Sequence, residues 1–181
     1  DMYNYYERAY SFGENNQNNE ALSDFLKAEE LDNDKSLATS QALYNNIAVA
    51  FGGLGQNEKA LEYYTKEIEI SPDYYLGYRN RAFRYAEDLK DYEKAEADYT
   101  RSIELDPEND ENYFKRGQFY NDYIQDYEKA IVDFTKAIEL DSKNGYYHLL
   151  RGNAKVKKNR DNDNNFESAI NDYTKAIELN S

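Results

Sequence analysis

Along this chain the apolar positions fall at helical spacing, and they do so in the same phase five times over. In one class of segment an alanine is followed four residues later by an aromatic and then by an aliphatic, as in Ala60, Tyr64, Ile68 and Ala130, Phe134, Ile138. Residues so spaced share one face of a 3.6-residue helix, and each segment predicts an amphipathic helix. In a second class an aromatic precedes a small residue by four and another aromatic follows it by three. Instances are Tyr5/Ala9/Phe12, Tyr44/Ala48/Phe51, Tyr78/Ala82/Tyr85 and Tyr113/Gly117/Tyr120. The small residue lets a neighbouring helix approach closely while the rings fill the flanks. Pro72 and Pro107 stop the helices before them, because proline cannot continue the hydrogen-bond ladder.

The two classes alternate. The alanines anchoring the first are Ala21, Ala60, Ala95, Ala130 and Ala169, separated by 39, 35, 35 and 39 residues. A period in the mid-thirties predicts a solenoid of helix pairs. Four copies, Glu58–Ile70, Glu93–Leu105, Glu128–Leu140 and Glu167–Leu179, superimpose at sight, and Glu20–Leu31 is a diverged fifth. From the small residue of the first helix to the alanine of the second is 12 steps between Ala48 and Ala60, but 13 between Ala82 and Ala95 and between Gly117 and Ala130. The expectation is a turn one residue longer in repeats three and four. In repeat five the step is 17, and the polar stretch Lys157–Asn165 predicts a solvated loop.

This recurrence resembles the tetratricopeptide repeat (TPR), and the resemblance covers essentially the whole chain. It implies an all-α, right-handed superhelical solenoid of five antiparallel helix pairs: a single array over 1–181, with repeats near 1–34, 41–72, 75–107, 110–142 and 145–181. Departures are specific. His148 and Lys155 stand where the family has aromatics on the first helix, and Glu67 where the second helix has alanine. No polar capping helix follows Leu179. The expectation is therefore a segment of a longer protein, or ends that pair with another molecule.

Composition narrows the function. Lys and Arg number 22 against 36 Asp and Glu, a net charge of −14, which disfavours nucleic acid as a partner. With no cysteine and one histidine, neither thiolate chemistry nor a zinc site is expected. The Gly52-Gly53-Leu54-Gly55 run matches no phosphate-binding loop, and Asp161–Asn165 lacks the glycine and terminal glutamate of a calcium loop. The chain is thus expected to be non-catalytic and to need no cofactor or metal. No apolar run approaches a bilayer's thickness. Cytoplasmic location is the default, with export left open by a chain start that looks truncated. Twenty tyrosines exclude a disordered acidic chain.

What remains is binding. The resemblance implies that first helices line a concave groove for a peptide or protein segment. Its register places Tyr6 and Tyr10 there in repeat one and Asn45 and Asn46 in repeat two. Arg79, Asn80 and Phe83 follow in repeat three, Phe114, Lys115 and Gln118 in repeat four, and Leu149 and Asn153 in repeat five. Asn46 and Asn80 share one position, and a carboxamide offers a donor and an acceptor to a peptide unit without reading its side chain. Tyr6, Tyr10, Phe83 and Phe114 are the expected apolar anchors, and Arg79 with Lys115 a basic pair for a carboxylate. The clamp by which some TPR proteins hold acidic chaperone tails is not satisfied in any register. The alternatives are self-association through the terminal repeats, or a regulatory or targeting module of a larger protein. The acids of the second helices, among them Glu62, Glu69, Glu96, Asp98, Asp133 and Asp172, are expected on an outer, solvated face.

Overall fold

Capping residues set where the helices begin. Asp91 and Asp126 accept hydrogen bonds from the backbone N–H groups of Lys94 and Lys129, and Asn109 and Asn144 from those of Glu111 and Tyr146. Each bond satisfies a donor that has no partner inside the helix. The structure, a computed structural model, describes residues 1–32, 37–159 and 166–179. Among them the regular elements are α1 (Met2–Glu14), α2 (Asn18–Leu31), α3 (Leu37–Gly53), α4 (Asn57–Ile70), α5 (Tyr75–Arg84), α6 (Tyr92–Leu105), α7 (Asp110–Phe119), α8 (Tyr127–Leu140), α9 (Gly145–Lys158) and α10 (Glu167–Leu179). No strand occurs among the described residues. Of the expected loop Lys157–Asn165, Lys157 and Lys158 instead continue α9, and residues 160–165 lie outside the described residues.

The extra residue of repeats three and four is not in the turn. It is absorbed by π-helical turns, Tyr85–Leu89 at the end of α5 and Tyr120–Ile124 at the end of α7. A π turn holds one more residue than an α turn, so one inserted residue is accommodated with the backbone still hydrogen-bonded. Each π turn ends on a left-handed residue, Lys90 (φ 56°) and Gln125 (φ 59°), and the aspartate cap of the next helix follows. In the shorter repeats the left-handed positions are Asn16 and Gly55, and the caps are Gln17 and Gln56, without a side-chain bond.

The chain forms two compact units, Asp1–Lys90 and Asp91–Ser181, whose boundary falls between the two helices of repeat three. In the first unit α1 packs on α2, α2 on α3, α3 on α4 and α4 on α5. Its core joins Ala9, Phe25, Leu43, Ile47, Phe51, Ala60 and Tyr64. In the second unit α6 to α10 pack in the same consecutive manner. There a Cβ on Gly117 would lie 2.8 Å from Phe134, and one on Gly152 would lie 2.8 Å from Tyr173. The small residue of the first helix thus receives the aromatic of the second.

A polar staple runs through the repeats. The Arg8 guanidinium donates to Asp24, that of Arg116 to Asp133 and that of Arg151 to Asp172, each arginine immediately preceding the small residue of its helix. Arg116 and Arg151 also donate to Thr100 and Thr135 on the preceding helix, tying one repeat to the next. Asp24, Asp98, Asp133 and Asp172 are buried. The expectation that Asp98, Asp133 and Asp172 lie on a solvated outer face is therefore corrected. Burial alone would raise the Asp172 carboxyl, but hydrogen bonds from Arg151 and Lys155 hold it below the usual carboxylate range. Lys155, a departure from the aromatic pattern, is thereby explained.

Candidate functional site

In the first unit the exposed edges of α1, α3 and α5 carry a continuous line of side-chain hydrogen bonds. Asn80 donates to the Asn45 carbonyl oxygen at 2.9 Å, Asn45 to that of Asn46 at 3.4 Å, and Asn46 to the Tyr6 hydroxyl at 3.0 Å. All four side chains are half-buried. The chain arises because the helices present two adjacent register positions side by side, one shared by Tyr6 and Asn45 and the other by Asn46 and Asn80. Burial raises the Tyr6 phenol above its ordinary value, the Asn46 hydrogen bond opposes this, and Glu7 and Tyr10 add to it. Tyr10, Val49 and Phe83 stand exposed beside the line at 51%, 48% and 41%.

Two recesses open along this edge, and both include Tyr10 and Asn46. One is lined by Tyr10, Gly13, Glu14, Asn18, Ala21, Phe25, Asn46, Val49 and Ala50. The other is lined by Tyr6, Tyr10, Gln41, Ala42, Asn45, Asn46, Glu67, Tyr74 and Leu76. Apolar walls with a few convergent polar groups suit a peptide side chain.

The structure thus brings together Tyr6, Tyr10, Asn45, Asn46 and Asn80. Arg79 is buried with its guanidinium over the Tyr75 ring at 5.4 Å, and it does not project beside Asn80 as a free basic group. In the second unit Phe114 is buried, with its centroid 4.8 Å from Tyr147, 5.8 Å from Tyr146 and 6.2 Å from Phe134. Its place among the groove anchors is corrected. Aromatics of α8 and α9 draw the ring into the packing between repeats. Lys115 lies over that ring at 5.4 Å and is half-buried, as is Gln118. Leu149 is exposed, and the Asn153 carbonyl accepts from Tyr173 at 2.9 Å. His148 is buried, with its Nδ1 3.7 Å from the Asp172 carboxylate. Burial holds its pKa below the ordinary value, and Arg151 acts in the same sense.

Among the described residues no group of three His, Cys, Asp or Glu is placed to hold a metal ion, and no helix is long and apolar enough to cross a membrane. Sequence reasoning passed over Glu67 as a functional residue. The signal was there, because it breaks a run of small residues at one register position.

The sequence model of the tetratricopeptide repeat matches residues 42–74, 84–109 and 110–144, just over half of the chain. The chain belongs to the tetratricopeptide-repeat family. Solved structures agree on the all-α, helix-pair solenoid class. A MamA from Desulfovibrio magneticus RS-1 is 20% identical with a TM-score of 0.77, over 99% of this chain and 94% of that one. The TPR protein TTC0263 of Thermus thermophilus is 18% identical with a TM-score of 0.73, over 99% and 91%. A tetratricopeptide repeat protein from Parabacteroides merdae ATCC 43184 is 24% identical with a TM-score of 0.77, over 98% of this chain and 66% of that one. At these identities the likeness is one of fold. No curated protein matches the chain. Family membership makes it, in general terms, a protein-interaction scaffold, and TPR proteins are as a class interaction modules without catalysis of their own.

Proposed function

We propose that the chain holds an extended segment of a partner protein against the exposed edges of α1, α3 and α5. Asn45, Asn46 and Asn80 meet its backbone, and Tyr10, Val49 and Phe83 meet its apolar side chains. The observation that carries this is the unbroken Asn80–Asn45–Asn46–Tyr6 line beside exposed apolar groups. Hydrogen bonds along the line fix the amide orientations, and the Asn80 carbonyl oxygen takes no part in the line. Pre-oriented carboxamides lose little freedom when a ligand arrives. A peptide selected on the protein from a random library and labelled should bind Asn80→Ala a few-fold more weakly, about 1 kcal/mol, and Asn46→Ala/Asn80→Ala more weakly again. Unchanged affinity in the double variant would remove the carboxamide line from the binding surface.

A second mode, self-association, is favoured by a different observation. Ile170 and Ile177, seven residues apart on one face of α10, are 58% and 71% exposed. Sedimentation over a concentration series separates the two. Growth that Ile177→Glu abolishes points to association through α10, whereas a concentration-independent monomer leaves peptide binding alone.

A further inference from the structure

Glu67 lies on α4 at the register position held by Ala28, Ser102, Ala137 and Ala176 in the other repeats, every one of them small and buried. It is buried as well, 1% exposed, and neither carboxylate oxygen has a hydrogen-bond partner among the described residues. Room for it comes from the facing helix. Gly77 stands where the other repeats have Asn4, Leu43, Asn112 and Tyr147, and a Cβ there would lie 3.2 Å from the Glu67 carboxyl. Large and small have changed places at this one interface. In the second unit the register equivalent Asn112 donates to the carbonyls of Ser102 and Asp106, so polar groups there are satisfied internally. At Glu67 no described residue plays that part. A carboxyl buried without a partner is costly to the fold and is expected to have a use.

Glu67 lines the recess formed by Tyr6, Tyr10, Asn45, Asn46, Tyr74 and Leu76. Around it the recess is lined by phenols (Tyr6, Tyr10, Tyr74) and carboxamides (Gln41, Asn45, Asn46), and no cationic side chain of the described residues lines it. An ammonium group brings three donors and a compact charge, which carboxylate and carbonyl oxygens accept and aromatic faces attract. We infer that this recess receives a primary ammonium, the side chain of a lysine in the partner segment, with Glu67 as its counter-charge. This rests on the proposed peptide-binding edge and names what that edge selects. Burial pushes the Glu67 carboxyl up to about 8, so near neutral pH an arriving ammonium displaces a proton from it. Around it stand Tyr6 and Tyr10 of the recess, Arg84, which acts on Tyr64, Arg79, which acts on Tyr74, and the phenols of Tyr64 on α4 and Tyr74 ahead of α5. Both phenols are held above their ordinary value by burial and stay neutral through that range.

The test uses the whole chain with Cδ-labelled glutamate and three blocked pentapeptides, Ala-Ala-Lys-Ala-Ala and its Ala-centred and Glu-centred counterparts, titrated by NMR to millimolar concentration. The lysine peptide is expected to bind about tenfold more tightly than the alanine peptide, as for a charged hydrogen bond, and to move the Glu67 carboxyl signal toward its ionised position. Glu67→Gln and Glu67→Ala, checked for unchanged helicity, should lower the lysine peptide to the alanine level. Equal binding of the three peptides at Asn45, Asn46 and Asn80 overturns the ammonium site and leaves the peptide-binding edge standing. A lysine preference that survives in Glu67→Gln also overturns it. If the lysine peptide moves neither Glu67 nor the asparagines, both are overturned.

Discussion

Replacing Glu67 by the alanine of its register equivalents should stabilise the protein, and increasingly so as pH rises. The folded chain keeps a proton on this carboxyl up to about pH 8, whereas the unfolded chain releases it near the ordinary value of 4.5. Between those values the folded state binds more protons than the unfolded. Stability is therefore fully present below about pH 4.5 and falls by about 1.4 kcal/mol per pH unit until pH 8, where the loss levels off. By pH 7 this amounts to roughly 3 kcal/mol. Against it stand the packing of one methylene and the carboxyl group and the space left beside Gly77, about 1–2 kcal/mol. Glu67→Ala should consequently match the parent near pH 5 and exceed it by roughly 2–3 kcal/mol near pH 8. Urea unfolding followed by far-UV circular dichroism from pH 5 to 9, with amide exchange in α4 as the local readout, measures the divergence. Glu67→Gln keeps the volume and should flatten the same slope. Parent and variant curves that run parallel would refute a protonated, unpartnered carboxyl at this position.

Other consequences follow from the packing. Arg116→Ala strands the buried Asp133 carboxylate and should cost about 3 kcal/mol, read as a lower urea midpoint; an exposed pair would cost under ~1 kcal/mol. Because Asp172 is held below the ordinary carboxylate range, its contribution is present above that range and lost as pH falls through its lowered value. Acid titration of Asp172→Asn should accordingly lack part of the parent's acid-side loss. Gly117→Ala gains helix propensity but drives a Cβ to 2.8 Å from Phe134, and a net loss of about 1 kcal/mol or more is expected in thermal melts. Gly77→Ala should be tolerated better in a Glu67→Ala background than alone, since the Glu67 carboxyl at 3.2 Å is, with Ile68 at 3.1 Å, what its Cβ would meet.

The helices and their pairing were legible because a period of about thirty-five residues writes each packing position several times over. Single positions were less so. One added residue in repeats three and four was visible as a count, yet a loop and a π turn absorb it equally well on paper. Only the backbone shows the latter. Asp133 and Asp172 read as surface charge when acids are counted along one helix. Their burial depends on an arginine contributed by another helix, and that pairing shows only when two register positions are read together. Phe114 was misplaced for a related reason, because its partners Tyr146 and Tyr147 belong to the next repeat. Asn45, Asn46 and Asn80 were recognisable by register as neighbours on one edge. That they bond to one another was not, since a carboxamide facing solvent and one facing its neighbour have the same sequence signature.

The central claim is that partners are held on the edges of α1, α3 and α5. Its most direct measurement is hydrogen–deuterium exchange and side-chain amide NMR of the protein, free and saturated with a library-selected peptide. The account predicts shifts and slowed exchange at Asn45, Asn46 and Asn80, with the exposed faces of α4 and α10 unchanged. Perturbation confined to those outer faces, around Glu62, Glu69, Ile170 and Ile177, would contradict it.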